Sequence, residues 1–280
     1  MTYLNLGCGR RYHPGWVNLD IAPRGPEIIA CDFTRTIPFP DASCEVVYHS
    51  HVLEHLRCEE ALGFMKECRR VLKTHGILRV AVPDLEQITR AYLKILEGAL
   101  TANDNDKQRY DWILLEMYDQ AVREQVGGAM ACYLAQNPLP DEEFVYKRIG
   151  EEGRDIVKAL RGQVESSSQS TTIWKAIGSR PTDLFRRIAA RLSQTVFLGL
   201  LGPRAQRAFQ IGAFRLSGEA HHWMYDRYSL ARLMERAGLC DPRVQSATQS
   251  LVPEWPSFNL DTSPDGRVRK PDSLFMEAIR

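Results

Sequence analysis

The feature that most restricts what this chain can fold into is a rhythm in its first hundred residues, where short apolar runs alternate with helical patterns at the spacing of βα units. Strand signals fall near Tyr3–Leu6, Val17–Leu19, Ile28–Ala30, Glu45–His49 and Ile77–Val82. The last two are rich in branched side chains, as expected of strands covered on both faces of a parallel sheet. Between them, "CEEALGFMKECRRVLKTHG" repeats Leu62, Met65, Cys68, Val71 and Leu72 at helical spacing, with Gly76 as the stop. That pattern predicts a crossover helix. After Pro83, Asp84 and Gln87 stand at the spacing of a capping box and open a second helix.

From about Asn103 to Leu216 the rhythm gives way to helical patterns and the polar stretch "ESSSQSTT". The sheet signal then returns: "MYDRYSLARLMERAGL" reads as a capped helix, and "PRVQSATQS" and "SLFMEAI" read as strands. The expected organisation is a core over 1–102, a helical insertion or cap over 103–216, and the rest of the core over 217–280. Residues 180–216 carry seven arginines against one aspartate, interleaved with Leu, Ile and Phe. This stretch reads either as a helix pair covering the core or as a basic amphipathic surface for peripheral contact with anionic lipid.

Composition narrows the function classes. With 36 basic and 35 acidic side chains there is no global field to attract nucleic acid, and no basic groove interleaved with aromatics. The seven cysteines form no CxxC pair, which argues against a disulfide framework or a structural zinc site. The first strand signal starts at Tyr3, leaving no room for a signal peptide, and no run approaches the ~18 apolar residues of a membrane span. A cytoplasmic location is the expectation.

The chemistry-bearing motif is "YLNLGCGRRYHPGWVNLD". A strand running into Gly7-Cys8-Gly9 lets the backbone pass close under a ligand. A nicotinamide fingerprint would need glycine where Tyr12 stands, and a P-loop would need GK[ST], so neither phosphate cradle is present. The turn is followed by Asp20, at the end of the next strand, placed to accept from two ribose hydroxyls. Asp32 ends the third strand, placed to accept from an adenine amino group. Two carboxylates without a phosphate cradle suit a cationic nucleoside.

In order, "LNLGCG", "WVNLD", "CDF", "FPDASCEVVYHSHVLEHL" and "EALGFMKECRRVLKTHGILRVAVPD" resemble class I S-adenosylmethionine-dependent methyltransferases over about residues 3–84. "YDQAVREQVGGAM", "GEAHHWMYDRYSL" and "KPDSLFMEA" look like a subgroup of predicted bacterial methyltransferases associated with surface-glycan and natural-product genes. The resemblance implies a Rossmann-like fold, with a mostly parallel seven-stranded sheet whose last strand is antiparallel, plus the helical insertion. It also implies S-adenosyl-L-methionine as cofactor and a saccharide or small-molecule hydroxyl as acceptor. Carried over, Asn5, Leu6, Gly7, Cys8 and Gly9 would form the cofactor loop, Asp20 and Ile21 the ribose contact, Asp32 and Phe33 the adenine contact. His49, Ser50 and His51 would lie beneath the transferring methyl. Only "RRYHPGW" separates the turn from the second strand, so the usual first helix is short or missing, and Arg10 or Arg11 would grip the methionine carboxylate.

His51 and His221 are the expected candidates for a base, and Tyr225 would close over the acceptor with Trp223 and Asp226; the other reading of each is packing. Asp119 and Arg123, four apart, read as an ion pair. "HSHVLEH" also admits a zinc hydrolase using His49, His51 and His55, although Glu54 and His55 fall one place late for an HxHxDH pattern. A non-catalytic cofactor-binding module is the third reading. No metal site is expected on the methyltransferase reading.

Overall fold

Seven strands form one sheet in the order β3-β2-β1-β4-β5-β7-β6 in the computed structural model, which describes residues 1–101, 103–167 and 202–280. They are β1 (Tyr3–Leu6), β2 (Val17–Asp20), β3 (Ile28–Ala30), β4 (Cys44–Ser50), β5 (Leu72–Pro83), β6 (Cys240–Gln245) and β7 (Ser273–Ile279). The first five pair in parallel, while β7 runs antiparallel to both β5 and β6. This is the Rossmann-like methyltransferase topology with its reversed strand β7 wedged between β5 and β6.

The period-2 alternation of β4 divides the core. Val47 and His49 face α1 (Cys58–Val71), whose Phe64, Met65 and Cys68 are fully buried. A late helix, Arg227–Arg236, packs beside α1 with Leu230 and Met234 buried. Val46 and Tyr48 face the other way, into Trp16, Val252, Trp255 and Leu260. No helix intervenes between Gly7 and Val17, as the short spacing predicted. An irregular aromatic cover takes its place: Trp16 stacks edge-on with Tyr3, Tyr48, Trp255 and Phe258 at centroid distances of 5.1–6.2 Å.

That cover is pinned by a buried charge. Arg79 of β5 is 0% exposed, donates to Asp261 at 2.7 and 2.9 Å and to Glu277 at 2.7 Å, and lies 4.3 Å from the Trp255 ring centre. Tyr48 Oη donates to the other Asp261 oxygen at 2.5 Å.

Local expectations fare unevenly. α2 (Leu85–Leu100) begins at Asp84, whose carboxylate accepts from the Glu86 and Gln87 amides, but Gln87 turns away to Pro271 O and the box is not reciprocal. α1 ends at Val71, five residues before Gly76: Leu72 is already extended and opens β5 by pairing with Cys44. Gly76 therefore lies in the strand, where a Cβ would come within 2.8 Å of Lys73 O. β6 spans Cys240–Gln245 rather than the predicted 242–250, because Ser246 onward turns into the aromatic cover.

The insertion consists of α3 (Asp104–Val122), α4 (Gly128–Leu134), α5 (Glu142–Ser167) and α6, described over 202–215; the late helix is α7. Around Trp112 they share a small core of their own, in which the Trp112 indole donates to Glu116, and Arg148 pairs with the same carboxylate. Asp119 and Arg123 do not form the expected pair. Asp119 accepts from Ala129 N at 2.6 Å at the start of α4, and Arg123 donates to Glu219 O at 2.7 Å. Most of the predicted basic amphipathic stretch, 180–201, and most of "ESSSQSTT" lie outside the described residues. Among the described residues, no helix is long and apolar enough to cross a membrane.

Candidate active site

The carboxyl ends of β1, β2 and β4 open on a cleft of about 660 Å³, where ligands bind in open parallel sheets. Its opposite wall comes from the insertion. α5 is broken at Gly150 (φ 62°, ψ −150°), and a Cβ there would lie 2.4 Å from Pro271 and 2.5 Å from Arg269 O, so only glycine allows the two segments to meet. Beyond the break, Glu152, Asp155, Ile156 and Ala159 line the cleft.

The floor is the glycine turn. Gly7 and Gly9 both have positive φ, 67° and 54°. Gly7 N and Cys8 N donate to Leu19 O, and Gly9 N donates to Asp20 Oδ2 at 2.7 Å, so the turn is bolted to the end of β2. Asp20 Oδ1 accepts from Ala22 N at 2.8 Å. A carboxylate offers about four acceptor positions, which leaves lone pairs for two hydroxyls of a ligand. Asn5 braces the turn from below, donating to Arg11 O and to Asn18. A Cβ on Gly9 would meet nothing within 4 Å, so the space over the turn is open for a ligand. Burial, followed by the nearby Asp20, pushes the Cys8 thiol up to about 11 and keeps it neutral.

Of the residues singled out from the sequence, Asn5, Gly7, Cys8, Gly9, Arg10, Asp20, Ser50 and His51 line the cleft, with Arg11, which pairs with Asp155 at 3.0 Å. The others do not. Leu6 is core, and Ile21 points to solvent at 66% exposure while Ala22 and Arg24 take its place in the lining. Asp32 lies outside the lining, its Oδ1 accepting from the Thr34 amide and hydroxyl, and Phe33 is buried against Phe64. His49 is wholly buried beside Phe64, and desolvation pulls its pKa down to about 4 despite Glu54, so it is a neutral packing residue. Tyr225 is core, its backbone bridging Asp84 and its hydroxyl without a partner; burial raises its pKa. His221 lies behind His55, their ring centres 4.7 Å apart, rather than in the lining. Because His49 faces α1 while His51 and His55 line the cleft, the ligand set of the zinc-hydrolase reading is not assembled.

His51 is the best-placed side chain for proton chemistry. It holds a left-handed backbone (φ 54°) immediately after β4, rare for a residue with a Cβ. Its Nδ1 is 3.0 Å from Glu54 Oε1, and its Nε2 is 2.9 Å from Ser273 Oγ. Glu54 is fully buried. Desolvation alone would raise its carboxyl, but the facing imidazoles of His51, His55 and His221 outweigh it and hold the pKa at about 2. An acceptor-only carboxylate opposite Nδ1 fixes the proton there and leaves Nε2 as the accepting nitrogen.

The sequence reading missed Ser273, Asp261, Glu152, Arg269 and Lys270, all in the lining. Arg269, Lys270 and Ser273 fall in the charged run "RVRKPDS" next to the last strand, while Asp261 and Glu152 lie outside it.

Comparison with known proteins bears on the same half of the molecule. Residues 4–80 match the family described as Methyltransferase domain. Two proteins of Mycobacterium tuberculosis, from strains CDC 1551 and H37Rv, each named "Probable S-adenosylmethionine-dependent methyltransferase", are 31% identical over 102 residues, covering 29% of this chain and 35% of each relative. The chain therefore spans about a third of the length of the curated relatives it matches. Solved methyltransferases from Archaeoglobus fulgidus (10% identity, TM-score 0.37, 100% of this chain and 86% of the other) and Mesorhizobium loti (12%, 0.36, 100% and 90%) are likenesses too weak to bear on function. The matched segment coincides with the part of the chain that builds β1 to β4, α1 and most of β5, so residues 4–80 resemble a methyltransferase domain in both sequence and strand order.

Proposed function

We propose that the protein binds S-adenosyl-L-methionine over the Gly7–Gly9 turn and transfers its methyl group to a hydroxyl of a saccharide or small-molecule acceptor held against the insertion. The observation that carries this reading is the union of turn and carboxylate: two positive-φ glycines tied to Asp20 at the mouth of a cleft. The fit is chemical as well as spatial, since Asp20 has acceptor capacity left for ribose hydroxyls and no phosphate cradle is present. Arg10 and Arg11, which follow the turn in sequence and line the cleft, are the cations for the methionine carboxylate. The division into core (1–102 and 217–280) and acceptor-binding insertion (103–216) belongs to the same proposal, as does a role in glycan or natural-product biosynthesis within the cytoplasm.

The cofactor supplies an electrophilic methyl on a sulfonium. The protein aligns the acceptor oxygen in line with it, an effect worth up to roughly 7–11 kcal/mol of barrier. On transfer, a hydroxyl acceptor held there would give its proton to His51 Nε2, with Glu54 stabilising the imidazolium; such a base contributes typically ~10²–10⁴ in rate. His221, whose pKa burial lowers to about 3, is too poor a base for the role. The outer face of the cleft and the basic insertion are where peripheral contact with a lipid-linked acceptor would occur.

Calorimetric titration with S-adenosylhomocysteine tests the reading. Wild type is expected to bind, and Asp20→Ala to lose affinity by at least about tenfold, the cost of roughly 1.4 kcal/mol for lost charged hydrogen bonds. No binding to wild type overturns the methyltransferase reading, and unchanged affinity in the variant overturns the ribose assignment.

A further inference from the structure

Behind the proposed base, three side chains from two distant segments converge. Glu54 and His55 leave the short 3-10 turn Leu53–His55 that follows β4, and His221 arrives on the strand of chain that links α6 to α7. One ligand atom from each of the three lies within 4.8 Å of the others. The junction is held by backbone: His222 N and Trp223 N both donate to Glu54 O, and His221 N donates to Gln120 O. Three features are unexplained by packing. Glu54 is 0% exposed; His51 Nδ1 stands 3.0 Å from its Oε1, and Oε2 has no hydrogen-bond partner. His55 Nδ1 is buried and without a partner, while the same ring is hydrogen-bonded to the Ala220 carbonyl. The two imidazoles meet edge to face beside the carboxylate, their ring centres 4.7 Å apart.

His51 meets one oxygen of this buried carboxylate and leaves the other without a donor, a costly arrangement unless that oxygen coordinates a metal. The His55 arrangement, one nitrogen fixed by a backbone carbonyl and the other left bare, is the one by which metal-ligating histidines are oriented. The geometry points to a divalent-metal site in which Glu54, His55 and His221 are the protein ligands. Two imidazoles and one carboxylate suit Zn²⁺ and its neighbours rather than Ca²⁺ or Mg²⁺, and a three-ligand set leaves positions open for water or substrate. Ligand atoms around an ion at about 2.0–2.2 Å lie closer than 4.8 Å, so small side-chain rotations complete the site. His55 lines the cleft, so the open positions face it, next to Ser50 and His51.

This set differs from the hydrolase triad in using Glu54 and His221 in place of His49 and His51. His51 stands beside the site, its ring between Ser273 Oγ and Glu54 Oε1. What the metal does rests on the methyltransferase reading: an acceptor hydroxyl bound at an open position would be polarised, and its proton taken by His51. That the metal binds does not rest on it.

The test uses the tag-free full-length protein, stripped with chelator and titrated separately with ZnCl₂ and with S-adenosylhomocysteine. One Zn²⁺ per chain is expected, with affinity reduced more than ~10-fold in both His55→Ala and His221→Ala. Co²⁺ absorption on unmutated protein provides a readout that needs no variant: intensified visible bands signal nitrogen and oxygen ligation, and the spectrum of free aqueous Co²⁺ overturns the proposal. So does wild-type zinc affinity in both variants. Zinc binding without S-adenosylhomocysteine binding leaves the site standing and removes the methyltransferase reading; the reverse outcome removes the site alone.

Discussion

The two faces of the sheet are closed by different means. On one, α1 and α7 lay aliphatic and aromatic side chains from helices that satisfy their own backbone hydrogen bonds. On the other, an irregular segment carrying Trp255, Phe258 and Leu260 covers β1 and β4, and it is held by Arg79 against Asp261 and Glu277. A helix needs only a greasy stripe to dock. A loop that covers a core must have its polar groups met one at a time, which is what Arg79 does when it also donates to Ser246 O and Gln249 O.

The contrast can be broken from either side. Arg79→Met is expected to cost the most, about 3–5 kcal/mol in urea unfolding, because it leaves Asp261 and Glu277 buried without their cation. A loss below about 1 kcal/mol would mean that the aromatic face holds without its charge. Met65→Ala, on the helical face, is expected to cost about 3 kcal/mol through transfer and cavity terms, with no change in the near-ultraviolet signal of the aromatic face. The smallest effect is read against pH. His49 is kept neutral by burial, with a folded pKa of about 4 against about 6.5 unfolded. The unfolded chain therefore binds the extra proton. Stability from this group is complete above pH 6.5 and is lost as pH falls towards 4, at up to about 1.4 kcal/mol per pH unit. His49→Leu should flatten the stability profile in that window by this amount, and an unchanged slope would show that His49 is protonated inside the fold.

The same contrast explains what could be read from the sequence. Strand and helix order over residues 3–100 was legible because periodicity is local, and so was the glycine turn with Asp20, eleven positions apart. The end of α1 was not, because "VLKTHG" carries apolar residues that serve a helix or a strand equally, and the choice is made by pairing with Cys44. Arg79 reads in sequence as one charge in an apolar strand; its partners lie 182 and 198 positions away. His221 raises the same difficulty: it was singled out for the cleft, and only the folded chain reveals that it stands with Glu54 behind it, against His55.

The crease at Gly150 carries one more implication. Because the helix that walls the cleft is pressed against the segment before the last strand at a point that tolerates no side chain, the residues beyond it face the cavity as a panel held at a fixed crease. Glu152, Asp155, Ile156 and Ala159 can be exchanged one by one while the strands beneath keep their register, so the preference for one guest over another can drift without rebuilding the house.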